Sequence, residues 1–240
     1  MKRAVIIGAS SGIGAELAKC ISADYEIIGL AARRTELLEG LAAELGNEMH
    51  ITTMDVTQTD DAQEQLAALI DEMGGVDLAV ICAGTGHINP ELQWDLEQQM
   101  IDVNVKGFTC LADALFKHFM AKGAGHLVGI SSVAALRGSG LCPAYNASKA
   151  YVSNYLEGLR VKAKHISKSI VVTDIKPGFV DTPMAQGEGL FWVASPQEAA
   201  RQIYRLIRRG KAHGYVIRRW RLVAWVLKLM PRGLYARLFQ

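Results

Sequence analysis

Residues 3–7 (Arg-Ala-Val-Ile-Ile) form a short apolar run rich in β-branched residues. They lead into Gly8-Ala9-Ser10-Ser11-Gly12-Ile13-Gly14 and then into Ala15-Glu16-Leu17-Ala18-Lys19. A buried strand, a glycine-rich turn and a good helix former, in that order, leave few folds open. The glycines let the backbone approach a pyrophosphate, whose charge meets the helix N-terminus. Gly8, Ser10, Ser11, Gly12, Ile13 and Gly14 therefore read as a dinucleotide cradle. The competing reading is a tight turn of small residues, and the strand and helix on either side favour the cradle.

The rest of the chain repeats the strand–helix alternation. Strands are expected near 26–31, 49–54, 76–81, 127–130, 170–175 and 215–217, with helices at 35–45, 60–73, 92–122, 144–165 and 196–209. That spacing predicts a single α/β domain, a doubly wound, Rossmann-like fold on a parallel seven-stranded sheet, spanning residues 1–217. A basic and apolar helical extension, 218–240, would follow it. At the end of the second strand, where an acid would grip an NAD ribose, the chain has Arg33 and Arg34. Guanidiniums suit a 2′-phosphate, and Arg33 immediately after the strand favours NADP(H) over NAD, against the plainer reading of two solvated helix-start charges. Asp55 and Val56 follow the third strand, placed to meet an adenine edge. Ala83-Gly84 follow the fourth. Asn104 and Gly107 fall inside a long helical pattern and predict a local break in its hydrogen-bond ladder.

The chemistry concentrates later. Tyr145 and Lys149 are four residues apart on one helix face, so a cation sits one turn from a phenol. A free phenol, with a pKa near ~10, exchanges protons poorly at neutral pH, and a nearby ammonium favours its ionised form. Ser132 ends the preceding strand, where its hydroxyl could hold a carbonyl oxygen beside that phenol. Any one of these alone is weak.

In combination they are specific. Gly8-x-x-x-Gly12-x-Gly14, Asp55, Ala83-Gly84, Asn104, Ser132, Tyr145-x-x-x-Lys149 and Pro177-Gly178 occur in the order and spacing of the short-chain dehydrogenase/reductase family, which residues 3–217 resemble. The resemblance implies a catalytic tetrad of Asn104, Ser132, Tyr145 and Lys149. Tyr145 would exchange a proton with the substrate oxygen while hydride passes to or from the nicotinamide, and Ser132 would position that oxygen. Lys149 would bind the nicotinamide ribose and lower the pKa of Tyr145. Asn104 would hold a water leading to solvent. Pro177, Gly178, Val180 and Thr182 would flank the carboxamide. Two positions depart from the family pattern: Ile7 stands where a Thr is usual and Cys82 where an Asn is usual. Both substitutions remove side-chain hydrogen bonds beside the cofactor. An NADP(H)-dependent carbonyl reductase is the reading implied, and an apolar lid over 184–193 beside a cationic interfacial tail over 218–230 points to a hydrophobic or lipid-like substrate. An NAD-dependent alcohol dehydrogenase and a non-catalytic NADP(H)-binding sensor are the alternatives, and the fold also hosts epimerases and dehydratases.

On the substrate side, 184–193 carries Gly187, Gly189, Leu190, Phe191 and Trp192, which reads as a mobile apolar lid or as an ordinary loop packing its aromatics on the core. Phe191 and Trp192, together with Ser132, Cys142 and Tyr145, are candidate substrate contacts, with Leu141 opposite. The four cysteines are widely spaced and form no metal-ligand pattern, so no metal is expected and reduced thiols in a cytoplasmic protein are. Net charge is only +2, yet residues 199–240 hold eleven Lys/Arg and no Asp/Glu, leaving a balance of −9 before them. The segment 218–230 is too short to span a bilayer. Its tryptophans and cationic flanks fit an interfacial helix on the inner membrane face, a helix that packs on a second subunit, or a cap on the substrate cleft. A nucleic-acid partner is disfavoured, because large apolar residues alternate with the basic ones. The resemblance also implies a homo-oligomer, dimer or tetramer, through helices 92–122 and 144–165.

Overall fold

The computed structural model describes residues 1–184 and 191–238. Seven strands form one parallel sheet: β1 (Arg3–Ile7), β2 (Ile27–Ala32), β3 (Glu48–Thr53), β4 (Leu78–Ile81), β5 (Gly125–Ile130), β6 (Ile170–Pro177) and β7 (His213–Val216). Their order across the sheet is β3-β2-β1-β4-β5-β6-β7, so the winding reverses between β1 and β4. The helices are α1 (Gly12–Ile21), α2 (Thr35–Leu45), α3 (Thr59–Glu72), α4 (Trp94–Ile101), α5 (Phe108–Lys122), α6 (Pro143–Ile166), α7 (Pro196–Arg208), α8 (Trp220–Leu229) and α9 (Arg232–Leu238).

Both sheet faces are covered, which is why the strands are almost wholly apolar. Successive side chains of β1 point to opposite faces. Val5 and Ile7 join Leu66, Leu111, Phe116 and Leu156 from α3, α5 and α6. Ala4 and Ile6 join Leu17, Ile21, Ala199 and Ile203 from α1 and α7. The expected break in the long helix is a π-helical stretch, Asp102–Gly107, between α4 and α5. It carries Asn104 into the interior, where that side chain is fully buried.

The sequence left three destinations open for residues 218–240, and the structure gives one face of α8 to the cleft. Trp220 is buried against Phe179, with ring centroids 5.2 Å apart and nearly perpendicular, and stacks on Phe191 at 5.0 Å. Gly178 makes room for it, since a Cβ there would lie 2.0 Å from the indole. Gly178→Ala is therefore expected to cost about 1–3 kcal/mol through overpacking and to free the tail at Arg218–Arg221. Urea denaturation and the rate of tryptic cleavage in this stretch check both effects. Unchanged cleavage would mean that Trp220 is not seated as described.

Candidate active site

The C-terminal ends of β1, β4, β5 and β6 open into one cavity of about 630 Å³, lined from Ser11–Gly14 at one end to Trp220, Leu227 and Tyr235 at the other. This crevice lies at the reversal of strand order, where such sheets place their ligands. At the first end, Gly14 packs so closely that a Cβ would stand 2.1 Å from the Gly8 carbonyl oxygen. The turn can thus bring backbone, rather than side chain, up to a ligand. Arg34 closes over it, its Nη2 donating to the hydroxyls of Ser10 at 2.9 Å and Ser11 at 2.6 Å. Sequence position favours Arg33, directly after β2, for this place, but the residue that bonds the cradle is Arg34. Both arginines are exposed, but Arg34 lines the cavity and Arg33 stands near Asp55.

The opposite wall is built from the ends of β5 and β6 and the first turns of α6. Ser132 caps a short 3-10 turn (Val133–Leu136), accepting a bond from the Ala134 N–H at 3.1 Å. Its hydroxyl also donates to Pro177 O at 3.5 Å. Burial pushes the Tyr145 phenol above its ordinary value, and the nearby Ser132 hydroxyl opposes that rise. One turn on, Lys149 is buried with Nζ 5.9 Å from the centre of the Tyr145 ring, donating to the Ile130 carbonyl at 3.1 Å. Burial brings its pKa down to about 8, against the opposing pull of Cys82 and Asp174. In the chain by itself, the phenol is therefore raised, where the family resemblance implied a lowered value.

Asn104 is fixed on three sides. Its Oδ1 accepts from the Thr85 N–H at 2.9 Å, and its Nδ2 donates to Thr85 O at 2.7 Å and to Ser148 Oγ at 3.0 Å. The π turn is thereby tied to the loop after β4 and to α6 between Tyr145 and Lys149. Cys82 is partly buried beside Lys149, and desolvation pushes its thiol up to about 12, so it stays neutral at pH 7. Backbone N–H groups of Cys82 and Ala83 both donate to Ile7 O, at 2.8 and 2.9 Å. Main-chain bonds thus tie β1 to β4 at the two positions that depart from the family pattern.

Other expected residues divide by position. Gly12, Ile13, Gly84, Cys142, Pro177, Gly178, Val180 and Thr182 line the cavity. Asp55 and Val56 stand outside that lining. The Asp55 carboxylate accepts from Thr57 N–H and Oγ1–H, and these bonds hold its pKa down although partial burial acts to raise it. Phe191 and Trp192 pack around Trp220 instead of facing the cavity, and Leu141 is exposed. Gly187, Gly189 and Leu190 fall outside the described residues. Sequence reasoning missed Arg137. Its Nε donates to Leu227 O at 2.8 Å, its Nη2 to Met230 O, and its guanidinium lies 5.2 Å from the Tyr235 ring centre. Tyr235 in turn donates to Gly138 O at 2.6 Å. These contacts latch α8 and α9 over the cleft.

Fold and cleft together are those of a nicotinamide-dependent oxidoreductase. Comparison with known proteins narrows the class. Residues 2–190 match the family model described as short chain dehydrogenase, and the chain belongs to the short-chain dehydrogenase family. Its relatives include an uncharacterized oxidoreductase of Staphylococcus epidermidis, 33% identical over 189 residues that cover 78% of this chain and 81% of that one. Another, from Staphylococcus haemolyticus, is 36% identical over 187 residues, covering 76% and 80%. Among solved structures, a short-chain dehydrogenase from Streptomyces avermitilis superposes with a TM-score of 0.81 at 24% identity, covering 95% of this chain and 91% of that one. An alcohol dehydrogenase from Thermococcus sibiricus, complexed with 5-hydroxy-NADP, gives 0.79 at 23%, covering 90% and 96%. These two share the fold. The family match ends at residue 190, and α7, α8 and α9 follow it.

Proposed function

We propose that the protein reduces the ketone or aldehyde carbonyl of an apolar substrate, using NADPH. The observation that carries this reading is the one cavity that joins Ser11–Gly14 and Arg34 to Ser132, Tyr145 and Lys149. The residues fit the dinucleotide. The backbone of Gly12–Gly14 would take the pyrophosphate at the start of α1. Arg34, with Ser10 and Ser11, would hold a 2′-phosphate, and Lys149 the nicotinamide ribose. Val180 and Thr182 would hold the carboxamide. When bound, the dinucleotide supplies a hydride to the carbonyl carbon. Tyr145 gives its hydroxyl proton to the carbonyl oxygen, which Ser132 holds in place, so the product is the alcohol. Tyr145 then regains a proton from solvent. Asn104 keeps the π turn and the Tyr145–Lys149 helix in register. Residues 218–238 act as the cap of the cleft, where Val133, Met184, Trp220 and Leu227 supply apolar surface. Self-association through α5 and α6 belongs to the same reading, with Tyr151 and Val161 exposed on α6.

The test is NADPH and NADH oxidation against carbonyls of graded chain length, in the wild type and Arg34→Ala. Charge-assisted bonds to a phosphate are worth about 1.5–3 kcal/mol. Arg34→Ala is therefore expected to raise KM for NADPH by roughly 10–100-fold and to leave KM for NADH within a few-fold. A wild type that prefers NADH, with NADPH kinetics indifferent to Arg34, would overturn the cofactor assignment.

A further inference from the structure

Helix α8 is apolar on two opposite faces, and among the described residues only one of them has a partner. Trp220, Ala224 and Leu227 recur at helical spacing and turn inward, with Trp220 and Leu227 on the cavity wall. Leu222, Trp225, Val226 and Leu229 recur at the same spacing on the other side, where they are 68%, 68%, 53% and 63% exposed. Leu234 and Leu238 of α9 are exposed as well, as are Phe191, Trp192 and Val193 beside Trp220. Exposed apolar surface concentrated on one helix face in this way marks an interaction site.

The charge around it selects the occupant. Arg221 and Lys228, seven residues apart, run along one border of the outer face, and Arg219 stands on the other. Arg218, Arg232 and Arg237 lie at the ends, and residues 199–240 contain no carboxylate side chain. Among the described residues none of these six cations is in an ion pair. A second copy of this chain docked face to face would set the same cations against one another. A nucleic acid would leave the apolar stripe uncovered. Anionic lipid satisfies both features, because its headgroups meet the cations while the stripe enters the acyl boundary. A helix of ten residues is about 15 Å long, half of what a span needs, so it lies in the interface plane.

We propose that the outer face of α8, with Leu234 and Leu238, docks on an anionic bilayer surface, and that the cleft beneath the same helix takes its carbonyl substrate from that bilayer. The second half rests on the carbonyl-reductase reading above. The helix that touches lipid is also the cap of the cavity, held there by Arg137, so docking places the cavity mouth at the membrane.

The test uses the full chain and the variant Leu222→Glu/Leu229→Glu, whose two sites are exposed and away from the cavity. Co-sedimentation with phosphatidylglycerol-containing vesicles, with phosphatidylcholine vesicles as the control, reads docking. NADPH oxidation with a long-chain aldehyde embedded in the vesicles, and with a short soluble aldehyde, reads delivery. The wild type is expected to sediment with anionic vesicles only, and the variant to lose at least tenfold in partitioning. Turnover of the embedded aldehyde should fall about as much, with turnover of the soluble one unchanged. Equal sedimentation of wild type and variant, or none by the wild type, overturns docking. Loss of docking without loss of turnover on the embedded aldehyde overturns delivery. Sedimentation velocity showing self-association that the variant abolishes would assign the face to a second copy and overturn the proposal. Docking with no turnover on any carbonyl would instead count against the reductase reading and leave the surface assignment standing.

Discussion

Tyr145→Phe is expected to lower kcat/KM for carbonyl reduction by about 10³-fold, within the 10²–10⁴ range typical of a lost general acid. The substitution removes one oxygen from a ring that α6 already holds, so the helix and the cavity wall should remain. NADPH affinity, followed by fluorescence titration, should change by no more than a few-fold. The pH profile adds a readout that a packing defect would not move. Burial raises this phenol in the chain alone, so the wild type should keep its proton, and its capacity to reduce, well into the alkaline range. The residual rate of the variant should have lost that ionisation. A variant that retains a tenth or more of wild-type kcat would remove Tyr145 from the proton-transfer step.

Lys149→Met should act in opposite directions on activity and on stability. Reduction should fall on the order of 10²-fold or more, since the variant loses a cation beside the reacting groups. The folded chain without dinucleotide should become harder to unfold. Bringing a buried ammonium from 10.5 down to about 8 corresponds to about 3 kcal/mol of unfavourable burial at neutral pH. Methionine, similar in volume, removes that cost and forfeits one hydrogen bond to Ile130 O. A net gain of about 1–3 kcal/mol at pH 7 is expected in urea melts. The sign with pH follows from linkage. Below about 8 the ammonium is present in both folded and unfolded wild type, and the full cost applies. Between about 8 and 10.5 the unfolded chain binds more protons, so wild-type stability rises relative to the variant and the gap closes. A gap independent of pH, or of reversed sign, would show that the Lys149 charge is not what burial disfavours.

Much of this architecture can be read from local pattern. Alternating apolar runs and helical periods give the strand count and the parallel winding, and Gly8–Gly14 fixes where the crevice lies. The break at Asn104 and Gly107 was legible as a break. Its π form was not, because that depends on bonds from Asn104 to Thr85 and Ser148, which local sequence does not encode. Arg33, directly after the strand, is the arginine that sequence position favours, yet it is chemically equivalent to Arg34. Only the fold turns Arg34 toward Ser10 and Ser11. The tail shows the same limit more sharply. An apolar helix bordered by cations is compatible with lipid, subunit or cleft, and the deciding contacts are Arg137 with Leu227 and Tyr235 with Gly138, each joining positions about ninety or more residues apart. Phe191 and Trp192 were placed on the substrate side by their position after the cofactor-binding turn. The aromatic attraction of Trp220 draws them out of the cavity lining.

Because Trp220 rests on Gly178 and the Arg137 latch reaches forward to Met230, the cleft is finished by a segment synthesised after every strand of the sheet. A nascent chain will already hold the sheet, the glycine turn and the proton-transfer wall while its hydrophobic chamber still lacks a roof. For that interval the exposed chamber is a site for holdase chaperones or for premature ligand entry. Stalled or truncated chains ending before Trp220 should therefore be stickier than their folded sheets alone would suggest.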